Sequence, residues 1–292
     1  FRPTVILSEN LGAHRLLFLF ASVARRWRWV ARKGTLTLPT GNDAVRRRRR
    51  LSRLYRAVDH TVTPSTDAKS TIIEGLGVEP GKVSCIPNPL DIEDIRVKSR
   101  RLDVLELPEP SNRTADLRLV YVGRLISRKN VNIVIETAAL LLDNGYRVQL
   151  AIVGNGDELA DLEAQVTMRN LSECVAFAGS VSNPYPYFHW ANLSVLPTEQ
   201  EGFGYAHAES LVCGCPVVAF SVPGGFRDFL RNGTNAILVD PPIAAERLAE
   251  AIANAYDTPG FLDRLREHAL HSASEFGIGR AADAYARVLA GL

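Results

Sequence analysis

The sequence predicts an α/β protein made of two Rossmann-like, doubly wound parallel sheets, the first of them incomplete. Short apolar or β-branched runs alternate with helical stretches along most of the chain, the pattern in which strands pair in parallel through helical crossovers. The alternation breaks off at a polar, proline-bearing segment, residues 98–115 (KSRRLDVLELPEPSNRTA), and then restarts more strongly, as it does where a linker joins two units. At 292 residues the chain is long enough for two such units.

In the first unit, residues 4–8 (TVILS) read as a buried strand and residues 13–28 as a helix, apolar at its centre and ending in RRWRW. Arg25, Arg26, Trp27, Arg28 and Trp29 combine interfacial aromatics with cations and so resemble an anchor for an anionic membrane surface; the alternative is a core helix with a solvated basic end. A strand is expected at 35–38 (TLTL), closed by Pro39, Gly41 and Asn42. The next helix carries Arg46, Arg47, Arg48, Arg49 and Arg50, which circle all its faces, so some are solvated whether or not the rest form an electropositive patch facing an anionic acceptor or a membrane lipid. Base-stacking aromatics are not interleaved with them, which argues against nucleic acid. Strands follow at 60–65 and 83–87, separated by a helix at 68–76.

The second unit reads as six strands, at 117–122, 147–153, 174–177, 193–196, 216–220 and 236–239, with helices at 130–144 and 157–169 and others between and after the later strands. Six strands in this alternation make a complete Rossmann-like domain.

Charge is unevenly spread: residues 1–100 hold 19 Lys and Arg against 9 Asp and Glu, and the remainder is net acidic. A basic front suggests an anionic partner. Cys85, Cys174, Cys213 and Cys215 have neither metal-ligand nor disulfide-framework spacing and read as reduced core thiols; no metal site and no bound cofactor are expected. No signal peptide and no apolar run near the roughly 20 residues that span a bilayer is present, and the chain opens at Phe1 directly on a strand-like segment, which suggests a missing front.

In open parallel sheets ligands bind beyond the carboxyl ends of the strands, so the residues after each strand are the candidates. After 117–122 come Gly123, Arg124 and Lys129, with Arg128 the solvated neighbour; two convergent cations offset a diphosphate. After 147–153 comes GNGDE, whose glycines resemble a phosphate turn without the full dinucleotide-binding spacing. After 193–196 comes TEQEGFGYAHAES, in which Glu201 and Glu209 stand eight apart around Gly202 and Gly204, ahead of a helix start that favours an anion. Paired carboxylates also occur in glycosidases, and two glutamates can simply cap and solvate a helix. Against proton donation, the helix dipole is expected to keep Glu209 ionised, which suits an acceptor of hydroxyl hydrogen bonds. His207 lies near the glycines, where facing a ligand and being buried remain open alternatives, while His189 and Trp190 read as packing residues.

Taken together, GRLISRKN, AIVGNGDE, VAFAGSVS, NLSVLPTEQEGFGYAHAESLVCGCPVVAF, GGFRDFLRNGTNAILV and TPSTDAKSTIIEGLGVEPGKVSCIPNPLD resemble the retaining glycosyltransferases of family 4, which have the GT-B fold. The similarity is collinear over most of the chain and includes the E-x7-E pattern at Glu201 and Glu209. It implies two domains facing a cleft: a truncated acceptor-side domain at 1–107, a nucleotide-sugar-binding domain at 114–275, and a helix at 276–292 crossing back to the first. By the same resemblance Arg124 and Lys129 hold the diphosphate and stabilise the departing nucleotide, Glu201 contacts the donor sugar, and Glu209 the ribose. Backbone N–H groups at Phe203 and Gly204, after Gly202, bind the sugar or distal phosphate, and Gly154 with Gly179, Ser180 and Val181 borders the base. The donor is expected to be UDP- or GDP-linked, the acceptor a glycan or lipid-linked, and the location cytoplasmic or peripheral on the cytoplasmic membrane face.

Two departures from the family pattern stand out. The opening strand and glycine loop have no counterpart, and Leu38-Pro39-Thr40 occupies the place after strand 35–38 where relatives put a histidine. Asp228 in GGFRDF stands where relatives have an acidic residue. The alternatives are a non-catalytic nucleotide-sugar-binding or scaffold protein, and a sugar phosphorylase or nucleotide-sugar epimerase of the same fold.

Overall fold

The computed structural model describes residues 4–21, 27–34, 38–41, 43–102, 105 and 116–291. It has the predicted architecture of two α/β domains, each on a sheet whose strands all run parallel. The first contains β1 (Val5–Ser8), α1 (Leu11–Ala21), β2 (Arg28–Arg32), α2 (Ala44–Arg56), β3 (His60–Thr63), α3 (Thr66–Ser70), β4 (Val83–Cys85) and α4 (Ile92–Ser99). Its strands lie in the order β1-β2-β3-β4. A π-helical turn, Thr71–Gly75, extends α3.

The second contains β5 (Leu117–Val122), α5 (Val131–Asp143), β6 (Val148–Val153), α6 (Leu159–Met168), β7 (Val175–Gly179), α7 (Tyr185–Trp190) and β8 (Leu193–Val195). It continues with α8 (Tyr205–Val212), β9 (Val217–Phe220), β10 (Ala236–Val239), α9 (Ala245–Asp257), α10 (Phe261–Ser272) and α11 (Ile278–Ala290). Strand order is β10-β9-β8-β5-β6-β7. The first strand of this domain therefore sits in the middle, and the chain winds outward from it first one way and then the other. The loops after β5 and β8 run off in opposite directions and leave a crevice between them, the switch point at which doubly wound sheets bind ligands.

The basic tryptophan segment is placed differently from expectation. The helix expected at 13–28 ends at Ala21, and RWVAR forms β2. Trp29, Val30 and Ala31 are fully buried, as in a strand covered on both faces. Trp29 packs with Tyr55 and Ile72 on one side of the sheet, and Val30 with Val62, Ile86 and Ala281 on the other. The indole Nε1–H donates to Ser8 Oγ at 2.8 Å, and the Trp29 amide donates to Asp59 Oδ2 at 2.6 Å. Trp29 is thus a core residue and unavailable to a headgroup; Arg25 and Arg26 lie outside the described residues. The expected strand at 35–38 also falls largely outside them, and its last residue, Leu38, belongs to no strand. The misreading has a physical cause: arginines flanking apolar residues look like a helix end, whereas here Arg28 and Arg32 bracket a strand too short to need internal polar residues.

α4 contributes Ile95 to the core of the six-stranded side, beside Leu90. At the other end of the chain, Ala281, Ala284, Tyr285 and Val288 of α11 pack against Val5, Val30, Val62 and Ile86 of the four-stranded side. Of the expected linker, residues 103–104 and 106–115 lie outside the described residues. Among the described residues no helix is long and apolar enough to cross a membrane.

The burial of Trp29 makes a direct test. Trp29→Ser should destabilise the protein by about 3–5 kcal/mol in urea unfolding, the range for emptying a large aromatic site. Trp29→Phe, which keeps most of the volume but loses the bond to Ser8, should cost about 1–2 kcal/mol.

Candidate active site

The crevice is bordered by loops that touch through their backbones, and glycines make those contacts sterically feasible. Gly123 N–H donates to Val153 O at 2.9 Å, and Gly154 N–H to Gly179 O at 2.7 Å. A Cβ on Gly154, whose φ is +143°, would lie 1.9 Å from Gly123 O, and one on Gly156 would lie 2.2 Å from Leu125 O. The two glycines of the GNG sequence, whose pattern resembles a phosphate turn, thus make close packing of the loops possible. Ser180, one residue beyond Gly179, is exposed, and Val181 packs partly buried against the core.

On the β5 side, Ser127–Lys129 form a 3-10 turn capped by Asn130 in the left-handed region, φ 53°. Asn130 Nδ2 donates to Pro197 O at 2.9 Å, and the Glu199 amide donates to Arg128 O at 3.1 Å, so the turn is strapped to the loop leaving β8. This delivers the Lys129 ammonium to the Glu201 carboxylate in a mostly buried ion pair. Burial, together with the charges of Arg128 and Arg124, pushes the Lys129 ammonium down to about 8, while contact with Glu201 pulls the other way. Arg124 is exposed at the mouth of the crevice.

On the β8 side, Glu201 pairs with Gly224 as an isolated bridge, and Gly225 N–H donates to Glu201 O at 3.1 Å. A Cβ on Gly225 would lie 2.2 Å from Gly202 O, so the two segments touch backbone to backbone. Gly204, φ +92°, precedes the first residue of α8. Among the described residues, the amides of Phe203 and Gly204 donate to no protein acceptor, which leaves them free to bind an anion at the helix start. The Phe203 side chain is buried against Phe229 and Phe276, ring centroids 5.4 and 6.0 Å away, and anchors the loop from behind.

Glu209, on α8, is half-buried, and burial raises its carboxyl above the ordinary range. Desolvation thus opposes the helix dipole expected to favour its ionised form: it acts over the whole carboxylate, whereas the dipole fades within the first turn. His207 is buried and stacked on Phe226, centroids 4.6 Å apart and 4° from parallel. Among the described residues neither ring nitrogen has a partner, and burial holds the imidazole neutral, down to about 3. It supports the underside of the Gly204 turn rather than facing the crevice. Of the four cysteines, all free thiols, Cys213 and Cys215 are buried.

Sequence reasoning missed two groups. At the carboxyl edge of the first sheet Arg32 donates to Asn88 Oδ1 at 2.6 Å and pairs with Glu9. With β2 placed at Arg28–Arg32, the residues beyond that strand are Lys33 and Gly34, not Leu38-Pro39-Thr40. The second, in which Thr66 donates to Asp228 and Gly224 to Asp67, bridges the two domains, and of its members the sequence singled out Asp228 alone. Placing β2 correctly would have found the first; no local signal marks the pairing in the second, because the partners Asp67 and Gly224 lie 157 residues apart and Thr66 and Asp228 162.

Comparison with known proteins agrees with this architecture. Residues 106–271 match the family model for glycosyl transferases group 1, and residues 11–94 the model for glycosyltransferase family 4. Among relatives, the α-D-kanosaminyltransferase of Streptomyces kanamyceticus is 31% identical over 173 residues, 58% of this chain and 44% of that protein. A D-inositol 3-phosphate glycosyltransferase of Catenulispora acidiphila is 30% identical over 244 residues, 80% of this chain and 57% of that protein. The chain thus spans about half the length of these relatives. Among solved structures, HepE of Anabaena in complex with UDP and glucose superimposes with a TM-score of 0.80 at 20% identity, over 99% of this chain and 78% of that one. Sucrose-phosphate synthase of Thermosynechococcus elongatus gives 0.78 at 22% identity, over 99% and 74%. The chain belongs to the group 1 glycosyl transferases, within glycosyltransferase family 4, and has their GT-B fold.

Proposed function

We propose that the protein is a retaining glycosyltransferase that moves a sugar from a UDP- or GDP-linked donor to a glycan or lipid-linked acceptor. The observation that carries this reading is the convergence, at the switch point of the second sheet, of the Lys129–Glu201 ion pair and the open amides of Phe203 and Gly204. In the reaction, the bond between the anomeric carbon and the β-phosphate oxygen breaks, and negative charge accumulates on the departing nucleoside diphosphate. The acceptor oxygen bonds to the anomeric carbon on the same face, and its proton leaves with the diphosphate. Lys129 and Arg124, with the amides of Phe203 and Gly204, stabilise that charge by preorganised electrostatics and ask no metal of the protein. Glu201, released when Lys129 turns to phosphate, accepts from sugar hydroxyls. Glu209 accepts from the ribose, and Gly154 with Gly179, Ser180 and Val181 borders the base.

An anionic membrane surface remains the proposed second partner, carried by the second of the two expected segments, the arginine run at 46–50. Arg46, Arg47, Arg49 and Arg50 are exposed on α2 with no carboxylate partner among the described residues, and α2 packs beside α1, which exposes Leu16 and Leu19. Cations beside apolar side chains suit a cytoplasmic leaflet.

Three measurements test these assignments. In calorimetry with UDP and GDP, Lys129→Ala should weaken the better ligand by about 10- to 100-fold, as expected for a lost charge-assisted contact. Glu209→Ala should weaken the nucleotide and not inorganic pyrophosphate; unchanged nucleotide affinity in both variants would remove the site. Because its depressed ammonium is lost as pH rises, Lys129 should make diphosphate affinity flat below about pH 8 and falling by up to about tenfold per unit above it. The break should disappear in Lys129→Arg. Finally, replacing Arg46, Arg47, Arg49 and Arg50 with Gln should abolish binding to vesicles of phosphatidylserine and phosphatidylcholine at low salt, with phosphatidylcholine alone as the blank; binding that persists would exclude this face.

A further inference from the structure

The loop leaving β3 and the first turn of α3 lie against the loop after β9, so that the first domain touches the second at the rim of the crevice. Two hydrogen-bonded contacts cross there in opposite directions. Thr66 donates its amide to Asp228 Oδ2 at 2.7 Å and its hydroxyl to the same carboxylate. In return, the Gly224 amide donates to Asp67 Oδ2 at 2.7 Å. Each domain therefore supplies one carboxylate and one backbone amide to the other.

The contact does not stop at Gly224. Its neighbour Gly225 donates to Glu201 O at 3.1 Å, and Gly224 and Glu201 are bridge partners. Glu201 in turn holds Lys129. Asp67, on the first domain, is thus joined through one rigid backbone segment to the two charged groups of the crevice on the second. Gly225 leaves little slack in that segment, since a Cβ there would lie 2.2 Å from Gly202 O. Between the clamp and Glu201 lies a cavity of about 230 Å3, with Asp67, Ser70 and Thr71 on one wall and Gln200 and Glu201 on the other. Hydroxyls and a carboxylate on one wall, and an amide and a carboxylate on the other, suit a neutral polyol such as a sugar ring.

We propose that Asp67 and Asp228 are positioning residues, a crossed carboxylate–amide clamp that sets the closure of the two domains and, through Gly224 and Gly225, holds Glu201 in register with the sugar. The consequence for turnover rests on the glycosyltransferase reading; the clamp itself does not, and it is read without substrate.

Amide hydrogen exchange supplies that reading. Asp67→Ala should speed exchange at Gly224 and also at Gly225 by at least tenfold, and Asp228→Ala should do so at Thr66. Asp67→Asn should restore the wild-type rates, because its amide oxygen still accepts from Gly224. Asp228→Asn should restore them only in part, since one oxygen replaces two for the two Thr66 donors. With UDP-glucose as the donor probe, Asp67→Ala should lower kcat/KM by at least tenfold while UDP affinity stays within twofold, and Asp67→Asn should recover most of it. Unchanged exchange at Gly224 and Thr66 would overturn the clamp. Faster exchange confined to Gly224, with Gly225 and kcat/KM unmoved, would overturn the positioning role. A wild-type protein that neither binds UDP nor turns over a donor would count against the glycosyltransferase reading, and the exchange rates would still decide the clamp.

Discussion

The site depends on backbone touching backbone where strands end. β5 and β8 are neighbours in the sheet, yet the chain leaves them in opposite directions, and the resulting crevice keeps its shape only because the flanking loops cannot slide. Gly154 against Gly123, Gly156 against Leu125 and Gly225 against Gly202 are contacts in which a methyl group would have to occupy space already filled by a carbonyl. Interiors packed at this density transmit displacement instead of absorbing it. The charged groups inherit their positions from these contacts: Lys129 from a turn strapped to the β8 loop, Glu201 from its bridge to Gly224.

Within that frame the electrostatics are arranged for exchange of partners. Lys129 and Glu201 neutralise each other in a mostly buried place, where either charge alone would be costly. A ligand carrying both phosphate and hydroxyls can satisfy the two at once, so the pair is kept in geometry without being locked against ligand. His207 beneath the glycine turn contributes shape instead of charge: burial keeps it neutral, and its ring lies flat on Phe226. Behind the same turn Phe203, Phe229 and Phe276 form an aromatic support that leads directly to α11 and the first domain.

The first domain reaches the site by two routes. Across the cleft rim, Asp67 and Asp228 exchange hydrogen bonds with the opposite backbone. At the far side α11, last in the chain, covers Val30 and Val62 in the sheet that comes first. The two ends of the chain are consequently coupled through one small apolar cluster, and Trp29, on the other face of the same strand, is committed to the interior.

Much of the fold was legible from the sequence alone. The six strands of the second domain were readable within a residue or two because each is an apolar run bounded by Gly, Asn or Pro, and a strand buried on both faces has little other composition open to it. The order of chemistry along the chain, cations after β5 and paired glutamates around glycines after β8, was equally local. β2 was not legible, because arginines beside tryptophans describe a helix end and a short strand equally well, and only the partners Ser8, Asp59 and Tyr55 distinguish them. Tertiary structure alone decided that Lys129 meets Glu201, that the glycines at 154 and 156 meet neighbouring loops backbone to backbone, that burial raises the Glu209 carboxyl, and that Asp67 and Asp228 cross between domains. Each of these depends on a contact between residues far apart in sequence, or on how much water a side chain retains, and neither is a property of any local stretch of chain.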